Sequence, residues 1–328
     1  MKKILLIAES TKIINENYQL YLKYLNENKC HITIATYDNE NIKYCHKKIL
    51  LRRKKTIKTL RKLVKENNFD IIYTTDNILF RIFAKNKTSK NITIISNFNF
   101  RKEYLLRSFS DIYIALNEIE YKIIKEKIKK NTFLVNGYGI VEEKINLSNN
   151  YKIKIKNEIG IGNNDFVLLT QDKDNYNLIK YMNEVKEDVK NIKLIINNKI
   201  NDREKELIKF YRLEDNIKVI ETNKLGNKIY LISDLYISTN KKISFDKNIA
   251  KAMNFNLPII AFKNNANTKM IKKNGYLVED KISFIDRIES IYYEENIEKI
   301  KPDKKQVKKY LFTNIIKSIN EIEKTSMN

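Results

Sequence analysis

The sequence predicts an α/β protein made of two parallel-sheet domains, and three observations carry the prediction. Short isoleucine-rich apolar runs alternate with amphipathic segments along the chain, the pattern of βαβ crossovers whose strands are buried on both faces. The alternation stops in the polar stretch Leu147-Ser148-Asn149-Asn150 and then restarts. At 328 residues the chain is long for one core and comfortable for two.

Lys3 to Ala8 reads as the first strand. Ile13 to Asn26 reads as a helix, because Ile14, Tyr18, Tyr21, Leu22 and Leu25 share one face at helical spacing. Ile32 to Tyr37 is the second strand, a basic helix follows near residues 55 to 66, and Phe69 to Tyr73 is the third strand. Ile92 to Ile95 and Ile112 to Leu116 continue the series, which closes at Phe133 to Gly137. In the second half, Phe166 to Thr170, Ile192 to Ile196 and Ile217 to Ile220 are strands, separated by helices over Tyr176 to Val185 and about residues 202 to 211. Asp234 then precedes the apolar run Leu235-Tyr236-Ile237, which ends in Ser238-Thr239. Asn248 to Met253 is apolar on one face at helical spacing, Leu257 to Phe262 is a buried strand punctuated by Pro258, and Gly275 introduces Tyr276 to Val278. Tyr310, Leu311, Phe312, Ile315, Ile316, Ile319 and Ile322 mark a terminal amphipathic helix.

Composition narrows the function classes. No apolar run reaches the roughly 18 residues of a membrane span, and the opening apolar segment turns polar at Glu9-Ser10, too soon for a signal peptide. Cys30 and Cys45 are too few for a disulfide framework. A cytoplasmic protein is expected, with peripheral contact at the inner face of the membrane kept open. The net charge of +23 invites a polyanion-binding reading, yet the cations are mostly Lys and no nucleic-acid-binding motif is present.

Ser110 to Glu118, Val135 to Gly137, Lys156 to Leu169 and Ser233 to Val278, taken in order, resemble the family 4 glycosyltransferases of GT-B fold. Ser110 to Glu118 is similar to the family's alanine-aspartate, strand, serine step, and Val135-Asn136-Gly137 to its asparagine-glycine turn into the linker. Lys156 to Ile161 with Asp165 to Leu169 resembles the helix and strand that open the donor domain. Ser233-Asp234 through Gly275 to Val278 resembles the donor-site segment. The resemblance implies two Rossmann-like domains with parallel sheets facing across a cleft. Residues 1–150 would form an acceptor domain, 151–300 a nucleotide-sugar donor domain, and 301–328 a helix returning to the first domain. It implies a hexosyltransferase of polysaccharide or glycoconjugate synthesis. A sugar would pass from a nucleotide-diphosphate sugar to a glycan or lipid-linked acceptor, with retention, no cofactor and no metal.

The same resemblance nominates site residues and exposes departures. Relatives hold the donor with two glutamates, positions occupied here by Ile243 and Lys251, and the carboxylate expected further on is replaced by Lys269. The helix starts around Ser244, Phe245, Asp246 and Lys251, and around Asn265, Ala266 and Lys269, would then bind the diphosphate. Lys173, flanked by Asp172 and Asp174, stands where relatives place an arginine and a lysine against the leaving group; a loop salt bridge is the alternative. On the acceptor side, Ser10 and Thr11 replace a glycine-rich loop, and a catalytic histidine would fall near Ser96 and Asn97. No catalytic residue is nominated. A silent GT-B partner subunit of another transferase is therefore the rival reading.

Two further features have competing explanations. Cys30-His31 and Cys45-His46 suggest a metal site, but neighbouring side chains at a strand edge diverge, and no metal is expected. Residues 51–65 carry an apolar stripe of Ile57, Leu60, Leu63 and Val64 beneath a cationic face, which suits either a crossover helix or an anionic membrane surface.

Overall fold

The computed structural model describes residues 1–324 except 76, 97, 144, 222–224, 242–244, 272–274 and 294–303. The chain divides into two units, the first comprising Met1–Ile140 with Phe245 and the residues from Lys309 onward, the second Val141 to Lys308 apart from the 243–245 segment.

In the first unit seven strands, β1 (Lys3–Ile7), β2 (His31–Thr36), β3 (Lys47–Leu50), β4 (Ile71–Thr74), β5 (Lys90–Ile95), β6 (Ile112–Ala115) and β7 (Asn131–Leu134), pair in parallel in the order β3-β2-β1-β4-β5-β6-β7. The strand β3 escapes sequence reading because its Lys47 and Lys48 hide the apolar pattern. At a sheet edge one apolar face suffices, and lysines there discourage pairing with another chain. The helices are α1 (Thr11–Asn17), α2 (Gln19–Glu27), α3 (Thr56–Glu66), α4 (Ile78–Ala84), α5 (Phe100–Leu106) and α6 (Glu118–Ile123). Ser10, Asn77, Asn99 and Asn117 begin α1, α4, α5 and α6, each side chain accepting from first-turn amides, caps worth about 1 kcal/mol apiece.

The single helix expected over Ile13 to Asn26 is two, α1 and α2, meeting at Tyr18. This residue leaves helical geometry at φ −111° and ψ −2°, and its buried ring meets Tyr138 edge-on at 5.3 Å. In α3, Leu60, Leu63 and Val64 pack into a core with Leu5, Ile7, Ile72 and Phe80. Ile57, expected in that stripe, is exposed, because Thr56 takes the inward position at the helix start. Arg81 of α4 and Glu103 of α5 form a fully buried pair at 2.6 Å, and Arg81 also donates to the Tyr113 hydroxyl at 2.5 Å.

In the second unit β8 (Phe166–Thr170), β9 (Ile192–Ile196), β10 (Ile217–Val219), β11 (Leu235–Ser238), β12 (Ile259–Phe262) and β13 (Tyr276–Val278) pair in parallel in the order β10-β9-β8-β11-β12-β13. Its helices are α7 (Asn149–Glu158), α8 (Tyr176–Asp188), α9 (Asp202–Phe210), α10 (Lys247–Asn254), α11 (Asn265–Ile271), α12 (Lys281–Tyr293) and α13 (Lys304–Lys308). Leu168, Leu194, Ile237, Ile260, Met182 and Phe284 belong to one buried core. Gly275 allows β13 to approach β12, since a Cβ there would lie 2.5 Å from the Ile259 carbonyl oxygen. The units divide at Ile140 and Val141, whereas residue 150 lies in the first turn of α7; the polar run before it supplies the helix cap, Ser148.

The last helix, α14 (Phe312–Lys324), counts with the first unit. The Ile140 amide donates to Tyr310 and the Phe312 amide to Ile140, both at 2.9 Å, and the Tyr24 hydroxyl reaches Asn320 at 2.5 Å. Ile315, Ile319 and Ile322 are buried. No described helix is long and apolar enough to cross a membrane.

Candidate functional site

Strand order positions the site. In the second unit β8 pairs with both β9 and β11, so the chain runs off in opposite directions from its neighbouring strands, and ligands of open parallel sheets bind beyond such a switch point. The loop from Gln171 to Asn175 leaves β8 there, and Ser238-Thr239 ends β11.

A closed polar node joins these loops. Asp172 is buried and accepts from the Thr239 amide at 2.6 Å, the Thr239 hydroxyl at 3.1 Å and the Ser238 hydroxyl at 3.1 Å. Its backbone carbonyl takes the Asn175 side-chain amide at 3.0 Å, while Glu204, at the start of α9, accepts the Asn175 backbone amide at 2.6 Å. Asp246, also buried, caps α10 by accepting the amides of Asn248 at 2.9 Å and Ile249 at 3.1 Å. Its other oxygen lies 3.5 Å from the same Ser238 hydroxyl.

Two acids thus share one small buried volume. Burial first, and the charge of Asp246 second, push Asp172 up to about 7, against the amide and hydroxyls donated to it. Burial also raises Asp246, opposed by its helix amides. The two titrate as a coupled pair that keeps a proton well above the usual carboxylate range. Tyr236 lies wholly buried, and burial first, then the charges of Asp246 and Asp172, raise its pKa against the Gln171 backbone. Tyr230 stacks on Phe255 with rings 5.0 Å apart and donates to Gln171 at 2.9 Å.

The expected site residues meet different fates. Lys173 points outward between the inward-turned Asp172 and Asn175, exposed at the lip of the loop. Asp246 is the α10 cap described above. Lys251 is the fifth residue of α10, in its last turn rather than at its start, so it cannot reinforce the positive end of the helix. Burial lowers its pKa, offset in part by the charge of Glu143, a carboxylate that also accepts from Asn227. Phe245 belongs to the first unit, where its ring covers Gly137 and packs with Tyr138 and Tyr310 at 6.2 and 5.7 Å; it is core, not a donor contact. Ala266 is fully buried, and Lys269, half-buried on α11, gives its carbonyl to Gln306 at 3.0 Å. Asn265 opens α11, but the amide of Asn267 already donates to the Asn264 side chain at 2.7 Å and that of Thr268 to the Asn264 carbonyl. First-turn amides of both helices expected to grip a diphosphate are therefore held by the chain itself. Ser244, Ile243 and Asn97 lie outside the described residues.

On the first unit, Ser10 is spent as the α1 cap. Thr11 is fully buried, its amide 2.8 Å from Asp38 and its hydroxyl 3.2 Å from Glu40, which removes it from any acceptor surface. His31 and His46 stack at 5.0 Å, with the His46 Nδ1 taken by the Ile32 amide at 3.1 Å. Among the described residues no group of three His, Cys, Asp or Glu side chains is placed to hold a metal ion. Sequence reading missed Ser238 and Glu143 as site members and passed over Asp172 as a flanking charge. The one available signal was an aspartate two residues after the buried strand Phe166–Thr170, where the backbone is still turning out of the sheet.

Comparison with known proteins agrees with this architecture. Residues 167–310 match the family described as glycosyl transferases group 1. An uncharacterized glycosyltransferase of Haemophilus influenzae is 25% identical over 243 residues, covering 68% of this chain and 66% of that protein, just under two thirds of its length. The crystal structure of a glycosyltransferase from Rickettsia africae superposes with a TM-score of 0.79 at 16% identity, covering 100% of this chain and 99% of that one. Anabaena HepE, solved with UDP and glucose, gives 0.79 at 14% identity over 99% and 100%. The fold is that of the GT-B glycosyltransferases. The second unit resembles the group 1 glycosyl transferases, with Lys251 and Lys269 at donor-site positions where carboxylates were expected.

Proposed function

We propose that the chain transfers a sugar from a nucleotide-diphosphate sugar, held by the second unit, to a glycan or lipid-linked acceptor in envelope polysaccharide or glycoconjugate synthesis. The observation that carries this reading is the anchored loop after β8. Asp172 and Asn175 lock it from within and hold Lys173 outward at the switch point, where a fixed cation stabilises charge growing on a leaving diphosphate. In the transfer the bond from the anomeric carbon to the diphosphate oxygen breaks, and a bond from that carbon to the acceptor hydroxyl oxygen forms. The hydroxyl proton leaves with the diphosphate or to solvent. HepE, similar in fold, is described with UDP-glucose, which supports a uridine nucleotide as the first donor to test. Glu143 and Lys251, whose opposite charges interact, are the proposed contacts to ribose and phosphate. The cationic outer face of α3 supports peripheral contact with an anionic membrane.

The self-capped starts of α10 and α11 favour one second reading, a silent partner subunit of another transferase. Calorimetry with UDP, UDP-glucose and UDP-N-acetylglucosamine separates the two. Millimolar binding or tighter, weakened about tenfold by Lys173→Ala with an unchanged melting temperature, is expected of the transferase. No heat with any nucleotide sugar would overturn it.

A further inference from the structure

We infer that the outer surface of α4 and α5 is a membrane-docking face that seats in an anionic lipid interface. This deepens the reading of a lipid-linked acceptor but rests on separate observations. Leu105 is 74% exposed, and Ile78, Tyr104, Phe100 and Leu79 are exposed at 46%, 44%, 43% and 40%. All five lie on two adjacent helices of one unit, with Phe100 and Tyr104 rings 6.1 Å apart. Such a cluster is more than the scattered apolar residues of an ordinary surface.

Its rim is mostly basic, with the exposed Glu9 carboxylate that accepts from Asn77 the exception. Across residues 77–110 the only acid is Glu103, and that carboxylate is buried against Arg81 and cannot neutralise the surface. Lys85 and Arg101 are exposed and Arg107 lies over the Tyr104 ring at 3.9 Å. The α3, α4 and α5 helices follow crossovers of the same sense, so right-handed connections put them on one face of the sheet. Arg61 of α3, 5.0 Å over the Phe83 ring of α4, joins the two. The stretch 52–65 then adds eight exposed cations and no acid. Behind α3 a groove of about 410 Å³, lined by Lys47, Lys55, Lys58 and Lys62 together with Glu66, which pairs with Lys62 at 3.8 Å, extends a mainly positive field to the β3 edge.

Aliphatic tips amid basic residues, with aromatic rings between, match the boundary of headgroups and acyl chains. A second copy would set the same cationic rim against itself. A nucleic acid would leave Ile78, Leu79 and Leu105 unrewarded.

Flotation of the full chain with vesicles tests the inference, comparing phosphatidylcholine alone with vesicles about one third phosphatidylglycerol. The chain is expected to float with the anionic vesicles, and Phe100→Glu with Leu105→Glu to cut the bound fraction about tenfold or more. Phe210→Glu, at a residue 76% exposed in the second unit, is expected to float like the parent. A parent that stays at the bottom of the gradient, or a double variant that floats as well as the parent, overturns the proposal. So does a parent dimer that the double variant converts to monomer, which would make the surface an interface between copies. Flotation needs no sugar chemistry: a chain that floats yet binds no nucleotide sugar keeps this inference and loses the transferase reading, and the reverse result does the opposite.

Discussion

Asp172 and Asp246 face the same hydroxyl, that of Ser238, at 3.1 and 3.5 Å. A serine has one proton to donate, so both carboxylates are served only when one of them is itself protonated and donates to the serine oxygen. The node is therefore a short proton chain that ties the ends of β8 and β11 to the start of α10.

Asp172→Asn is expected to flatten the pH dependence of stability. The native-state acid titrates near 7 and the unfolded one near 3.8, so the folded state binds the extra proton between those values. Its contribution is full below the unfolded pKa and is lost as pH rises through 7, a drop of a few kcal/mol. The introduced carboxamide would accept from Thr239 through its oxygen and donate to Ser238 through its nitrogen, keeping the chain of bonds without a titrating group. Urea unfolding at pH 5 and pH 8 checks this; an equal change between the two pH values in parent and variant would remove Asp172 from the explanation.

Ser238→Ala deletes the shared donor and leaves both acids facing an apolar methyl. A loss of roughly 1–3 kcal/mol is expected, together with a higher Asp172 pKa, read by carboxyl carbon NMR. A lower pKa would show that the hydroxyl does not bridge the pair.

Gly275→Ala sets a methyl 2.5 Å from the Ile259 carbonyl oxygen, a backbone atom between paired strands that cannot step aside. The expected cost is about 1–3 kcal/mol, measured by thermal unfolding. Unchanged stability would mean that β13 does not sit this close to β12.

Arg81→Met removes the 2.6 Å partner of the buried Glu103, with Lys102 lying 3.6 Å away, and should cost about 3–5 kcal/mol. Adding Glu103→Leu should restore most of it, because the paired removal leaves no stranded charge. A double variant as unstable as the single one would point to Arg81 stacking on Tyr113, 5.3 Å away, as the larger effect.

Most of the architecture was legible because buried parallel strands must be apolar on both faces, and the runs at Leu5, Ile34, Ile94, Leu168, Ile195 and Ile260 could hardly be anything else. Gly275 and Pro258 were legible for the same reason, as punctuation that only a close approach or a turn requires. What periodicity could not show was which way a polar side chain faces. Asp172 and Lys173 are neighbours in a polar loop, yet one is buried under two hydroxyls and an amide while the other meets water. Nor could the resemblance reveal that Asp246 caps α10 and leaves Lys251 a full turn inside it. Local sequence determined the strands and helices, because burial and backbone hydrogen bonding are set by near neighbours. The partners of Asp172, Glu103 and Lys251 come from segments far along the chain, so only the tertiary structure decided which charges are buried and which groups they meet.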